Sequence, residues 1–220
     1  MRRYKRNQVE EAIATALGRS GEEAVSELRI RIKRLLDADR TLGREITGRA
    51  PGEPYAFYTG EAPGSGLEVW FSPYEAFALM IGLLLLRHGW PQRMVVRIMR
   101  LARPTLEPEH ARILSLEPET LFDKAEVIKR ARPGMISVDV TDPVFLAIAT
   151  REGAEHEKAD LESPPHAVSV CRGHEGLMSF MRQSAPIGMS MTSSEVAGPA
   201  HILAHHLQQT KPRARGRTSR

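Results

Sequence analysis

The sequence offers a single cysteine, Cys171, which rules out an internal disulfide and fits a reducing compartment. Aromatic residues make up only 5% of the 220 and apolar residues 41%, so a core must be built mainly from Leu, Ile, Val, Met and Ala. Long hydrophobic runs are missing as well. The main one, residues 76–86, is about half of the roughly 20 residues that a bilayer span requires. Arg87 and His88 follow it at once. The start, MRRYKRNQVEEA, carries charge with no apolar stretch behind it, unlike a secretory leader. A cytoplasmic protein with no membrane partner is the expectation.

Catalytic signatures are equally sparse. No glycine loop of the phosphate-cradling kind is present. His201 and His205 lie four apart on a predicted helix, with Glu195, His206 and His174 as further ligand types. The Glu of a zinc H-E-x-x-H pattern and any cysteine pair are lacking. Cys171 and His174 place a thiol near an imidazole, as a nucleophile pair would. A cysteine ending an apolar strand, however, is ordinarily a small buried hydrophobe. The sequence therefore predicts no enzyme activity, no cofactor and no metal. Met178, Met181, Met189 and Met191 read as core filling or as an adaptable partner surface.

Acidic side chains are absent from two places. Residues 87–103 hold five arginines (Arg87, Arg93, Arg97, Arg100, Arg103) and no acid, and the last ten residues hold five cations and no acid. Residues 105–162 reverse the balance, with thirteen Asp and Glu against seven Lys and Arg. Net charge is only +4, so the polarity of the chain, with basic ends and an acidic middle, is what suggests a polyanionic partner. The arginines of 93–100 fit either a solvated helix face or a phosphate track.

What is present is punctuated helix. Ser72, Pro73 and Glu75 form an S-P-x-E start with a capping box, and Gly89 and Pro91 mark the stop. The helix between them is apolar on every face, so it belongs in a core. Earlier, helices are predicted over 4–17 and 22–38, separated by the break 18–21. The second buries Val25, Leu28, Ile32 and Leu35 and turns its bases outward. Residues 55–58 and 67–71 are aromatic-rich, alternating runs around a Pro/Gly/Ser turn, the pattern of a β-hairpin. A fourth helix is predicted over 92–102, with Met94, Val95, Ile98, Met99 and Leu101 inward. Beyond it, Pro104, Pro108 and Pro118 break the pattern into short helices near 109–116 and 118–129. Strands are predicted at 135–140, 143–149 and 167–171, and helices at 174–181 and 195–209. The resulting expectation is a mostly α protein with α+β character. Residues 1–103 form a winged-helix-like helical domain with one hairpin, and 104–134 a proline-broken helical linker. Residues 135–210 form a small α+β module, and 211–220 a disordered basic tail.

Helix, short break, basic helix, hairpin and buried helix is the order of a winged helix-turn-helix. The stretch VWFSPYEAFALMIGLLLLRHGWPQRMVVRIM resembles the region after the wing in MerR-like regulators. Leu28-Arg29, Leu35-Leu36 and Arg40 resemble that family's recognition-helix stretch and its run into the wing. The resemblance spans roughly residues 4–103. It implies a bacterial transcriptional regulator that binds double-stranded DNA, as a homodimer. The implied recognition face holds Ser26, Arg29, Ile30 and Lys33, with Arg31 and Arg34 at its edge. Arg29 and Lys33 would approach base edges. Arg2, Arg3, Lys5, Arg6 and the tail cations Arg213, Arg215 and Arg217 would meet phosphates. Residues 59–66 would be the wing tip. The alternative is a protein-interaction adaptor without DNA binding, using the acidic middle and the Met-rich C-terminal module.

Overall fold

The computed structural model describes residues 2–45, 55–59, 69–117, 142–151, 166–184 and 189–212. Among them are six helices and two small antiparallel sheets, a mostly helical α+β fold. Strand β1 (Tyr4–Lys5) leads into α1 (Arg6–Ala16), followed by α2 (Glu22–Glu45), β2 (Trp70–Phe71), α3 (Pro73–Arg87) and α4 (Gln92–Ser115). Then come β3 (Val144–Arg151), β4 (His166–Arg172), α5 (Gly173–Ser184), β5 (Met189–Glu195) and α6 (Ala197–Gln209).

Helix α3 is the centre of the core, and its ends form as its sequence dictates. The Glu75 amide donates to Ser72 Oγ at 3.1 Å, and the Ser72 amide donates to Glu75 Oε2 at 2.6 Å. At the other end Gly89 sits at φ 89°. That left-handed turn lets the Trp90 amide reach the Leu85 carbonyl at 3.2 Å and the Gly89 amide reach that of Leu86 at 3.1 Å, the paired bonds of a Schellman stop. Helix α1 ends the same way around Gly18 (φ 62°), with Arg19 bonded to Ala14 and Gly18 to Thr15. Tyr74, Phe77, Leu79, Met80, Ile81 and Leu85 of α3 are all buried. Each contributes roughly 1.5–3 kcal/mol by leaving water. The apolar cluster around them takes in Ile13, Ile32, Leu35, Ile98 and Leu106, and also Val144, Leu146, Ile148, Ala200, Leu203 and Leu207 from the C-terminal half.

Three expectations are corrected. The first is the hairpin. Trp70–Phe71 pairs with Tyr4–Lys5 (Tyr4 opposite Phe71, Lys5 opposite Trp70), and residues 55–59 form no strand. The reason is that side chains already satisfy the backbone of that segment. Asp39 accepts the Ala56 and Phe57 amides at 3.2 and 3.0 Å, and Arg103 Nη1 donates to the Tyr55 carbonyl at 2.6 Å and to that of Tyr58. The wing-tip residues 60–66 lie outside the described residues.

The second concerns the prolines. α4 runs unbroken through Pro104 and Pro108. The two lie four apart on the solvent face, beside exposed Leu101, where water can take the carbonyls that each proline leaves without an amide. The buried face, Ala102, Leu106 and Ile113, holds the helix together across them. Leu101 is thus outward, not inward as its spacing predicts.

The third is one arginine of the basic run. Arg100 is on neither a solvated face nor a phosphate track: it is buried and tied to Asp39, and the next arginine, Arg103, is buried against the 55–59 backbone. Thr59 completes this network, donating to Glu75 at 2.6 Å.

In the C-terminal half, β3 is central in the order β4-β3-β5. Side chains alternate across it. Val144, Leu146 and Ile148 join the helical core, and Phe145 packs edge-on to His174 of α5 with ring centroids 5.5 Å apart. Strand β5 has no counterpart among the predicted strands. Glu195 at its end accepts the Ala197 and Gly198 amides at 2.6 and 3.1 Å and so starts α6. Among the described residues no helix is long and apolar enough to cross a membrane. The predicted linker helix at 118–129 and strand at 135–140, with tail residues 213–220, lie outside the described residues.

Candidate nucleic-acid interface

Helix α2 is held by one face and open on the other. Leu28, Ile32, Leu35 and Leu36 are buried, while Ser26, Arg29, Ile30, Lys33 and Arg34 are exposed. Ile30, a large apolar side chain, is 49% exposed in the middle of this face. The turn from α1 into α2 is fixed by two left-handed glycines, Gly18 and Gly21. α2 therefore leaves α1 at a set angle.

One N-terminal cation, Arg6, reaches the same surface through Glu10. Its carboxylate lies 2.7 Å from Arg6 Nε and 3.4 Å from Arg29 Nε, so Arg6 from α1 and Arg29 from α2 stand side by side. This link was not foreseen, although the i, i+4 spacing of Arg6 and Glu10 is a readable signal. The same link bears on the predicted roles of both arginines, since each already shares a carboxylate. Lys33 and Arg34 have no ion pair with a described residue.

Arg2 and Arg3 are exposed ahead of β1, and the Arg2 guanidinium lies 5.6 Å from the Tyr4 ring centre. The Lys5 ammonium sits 5.1 Å over the ring of Trp70, which is 41% exposed. The β1–β2 pairing produces this contact, so an aromatic read as hairpin material stands among the cations instead. Arg213, Arg215 and Arg217 lie outside the described residues.

The other candidate groups separate. Cys171 is buried, and burial pushes its thiol above the ordinary value, which disfavours the thiolate a nucleophile needs. His201 lies against α4 and His205 points outward. Among the described residues no group of three or more His, Cys, Asp or Glu is placed to hold a metal. Glu109 of α4 instead ties the sheet to the helices. It accepts from Arg172 at 2.5 Å and from Arg112 at 2.7 Å. Burial alone would raise its carboxyl; the two arginines outweigh that and hold it below the usual range.

Comparisons with protein-family models, with curated proteins and with solved structures returned no match, so the functional reading rests on the residues of the chain itself.

Proposed function

We propose that the protein binds double-stranded DNA through the exposed face of α2, as a helix-turn-helix regulator of transcription. The observation that carries this reading is the junction at Glu10. It brings Arg6 of α1 beside a helix whose outward face is Ser26, Arg29, Ile30, Lys33 and Arg34. A helix fits the major groove, where arginine can fork onto guanine and an apolar side chain can meet a thymine methyl. Arg29 and Lys33 take the base-edge role, and Ile30 the apolar one. Arg2, Arg3, Lys5 and Arg6, with the tail cations Arg213, Arg215 and Arg217, take phosphates.

The test is retardation of random duplex DNA across a salt series. With about six phosphate contacts, affinity should fall on the order of 1,000-fold between about 50 and 200 mM salt. Absence of any retardation at low salt sinks the reading. A protein partner that co-purifies and survives high salt, with no DNA binding, supports the adaptor reading instead.

A further inference from the structure

Helix α5 is amphipathic, with Leu177, Met178, Phe180 and Met181 among its 12 residues, yet none of the 12 is buried. It packs on β3 and β4 by one side. Two contacts fix which side that is. The His174 ring lies edge-on to Phe145 with centroids 5.5 Å apart, and a methyl group on Gly176 would stand 3.6 Å from the Cys171 backbone. At about 3.6 residues per turn, the opposite side then carries Glu175 and, two turns on, Arg182, with Met178 and Ser179 between them. Glu175, Met178 and Arg182 are all exposed, Met178 at 48%. Neither Glu175 nor Arg182 makes an ion pair with a described residue.

We propose that this side of α5 is the seam at which two copies of the chain associate, their α5 helices running antiparallel about a twofold axis. The order of the side chains selects a second copy as the occupant. Glu175 stands three residues before Met178, and Arg182 three residues after Ser179. Reversing the helix therefore sets Glu175 against the partner's Arg182, and Arg182 against the partner's Glu175. Met178 meets the partner's Met178 at the axis, where two flexible thioether chains cover each other. A twofold interface has to be self-complementary in this way. A parallel pairing would instead oppose like charges at both ends. The seam is one helix about 18 Å long, at the small and weak end of specific interfaces, so the dissociation constant should be on the order of 10–100 μM. It shares no residue with the exposed face of α2 and stands independently of the DNA reading.

Sedimentation equilibrium of the full-length protein, from about 5 to about 300 μM, should show the wild type passing from monomer to dimer. Glu175→Arg and Arg182→Glu should each weaken the dimer about tenfold, because two symmetry-related pairs turn from attraction to repulsion. An equimolar mixture of those two variants should associate about as tightly as the wild type, since every pair across the mixed seam is again opposite in sign. Met178→Asp should remove association and leave the far-ultraviolet circular dichroism intact. A wild type that is monomeric at about 300 μM overturns the proposal. So does a dimer that neither charge variant weakens, or a mixture no tighter than each variant alone. If a charge variant fails to fold, Met178→Cys decides the matter: mild oxidation should join two chains through the new thiol, and should not do so for Gln183→Cys, exposed on the other flank of the helix. Equal cross-linking of the two cysteine variants, or none, overturns the seam.

Discussion

Replacing Asp39 by alanine is expected to be among the most damaging single changes in this protein. The side chain is fully buried, and Arg100, which it binds at 2.8 Å, is 6% exposed. The same carboxylate accepts two backbone amides, Ala56 at 3.2 Å and Phe57 at 3.0 Å. Alanine leaves the guanidinium in the interior with the Asp39 carbonyl at 2.6 Å and the Tyr55 ring at 5.3 Å. Removing one member of a buried pair costs about 3–5 kcal/mol, and each buried amide left without an acceptor adds about 1–3. Because these terms overlap, about 5 kcal/mol is a fair sum, comparable to the whole stability of many domains at roughly 5–15 kcal/mol. Urea unfolding followed by circular dichroism measures it. The double change Asp39→Asn with Arg100→Met should be milder than Asp39→Ala, since no unpaired charge then remains inside. A loss below about 1 kcal/mol for Asp39→Ala would refute the claim that this pair clamps residues 55–59.

Acid should weaken the fold through His110, which is 4% exposed and stacked on Phe77 with centroids 4.5 Å apart. Burial, with the neighbouring His201, pushes its imidazole down to about 4. The unfolded chain therefore takes up the proton first, and stability drops as pH falls from about 6.5 to about 4, by roughly 3 kcal/mol. His110→Phe should remove that component in unfolding curves taken at several pH values. Gly18→Ala should cost about 1–2 kcal/mol, because alanine resists the left-handed φ that closes α1; thermal melting reports it.

The parts of the fold that were legible in the sequence are those set by neighbours along the chain. Ser72, Pro73, Glu75 and Gly89 announce α3, Gly18 the α1–α2 turn, and the spacing of Leu28, Ile32 and Leu35 the buried side of α2. The parts that were not legible depend on partners far away. Residues 55–58 look like a strand until Asp39 and Arg103 take their backbone groups. Arg100 and Arg103 look solvent-facing until Asp39 and the Tyr55 and Tyr58 carbonyls appear beside them. Pro104 and Pro108 look like breaks because local propensity cannot register that both fall on the outer side of a well-packed helix. Strand β5, rich in Ser and Thr, has only the Met189–Met191 alternation to mark it. For the candidate interface, the exposed face of α2 follows from periodicity alone. The union of that face with Arg6 depends on Glu10, and the setting of Trp70 depends on its pairing with Lys5.

The most direct test of the central claim is fluorescence anisotropy of a labelled duplex titrated with the wild-type protein and with Arg29→Glu/Lys33→Glu. Both positions are exposed on α2, so the variant should keep its fold, with a melting temperature lowered by the loss of the Arg29–Glu10 ion pair. Salt-sensitive binding by the wild type and a loss of about 100-fold or more in the variant are expected, two reversed charges each worth about 1.4 kcal/mol or more. Equal binding by the two proteins, or none by the wild type at low salt, would contradict that claim.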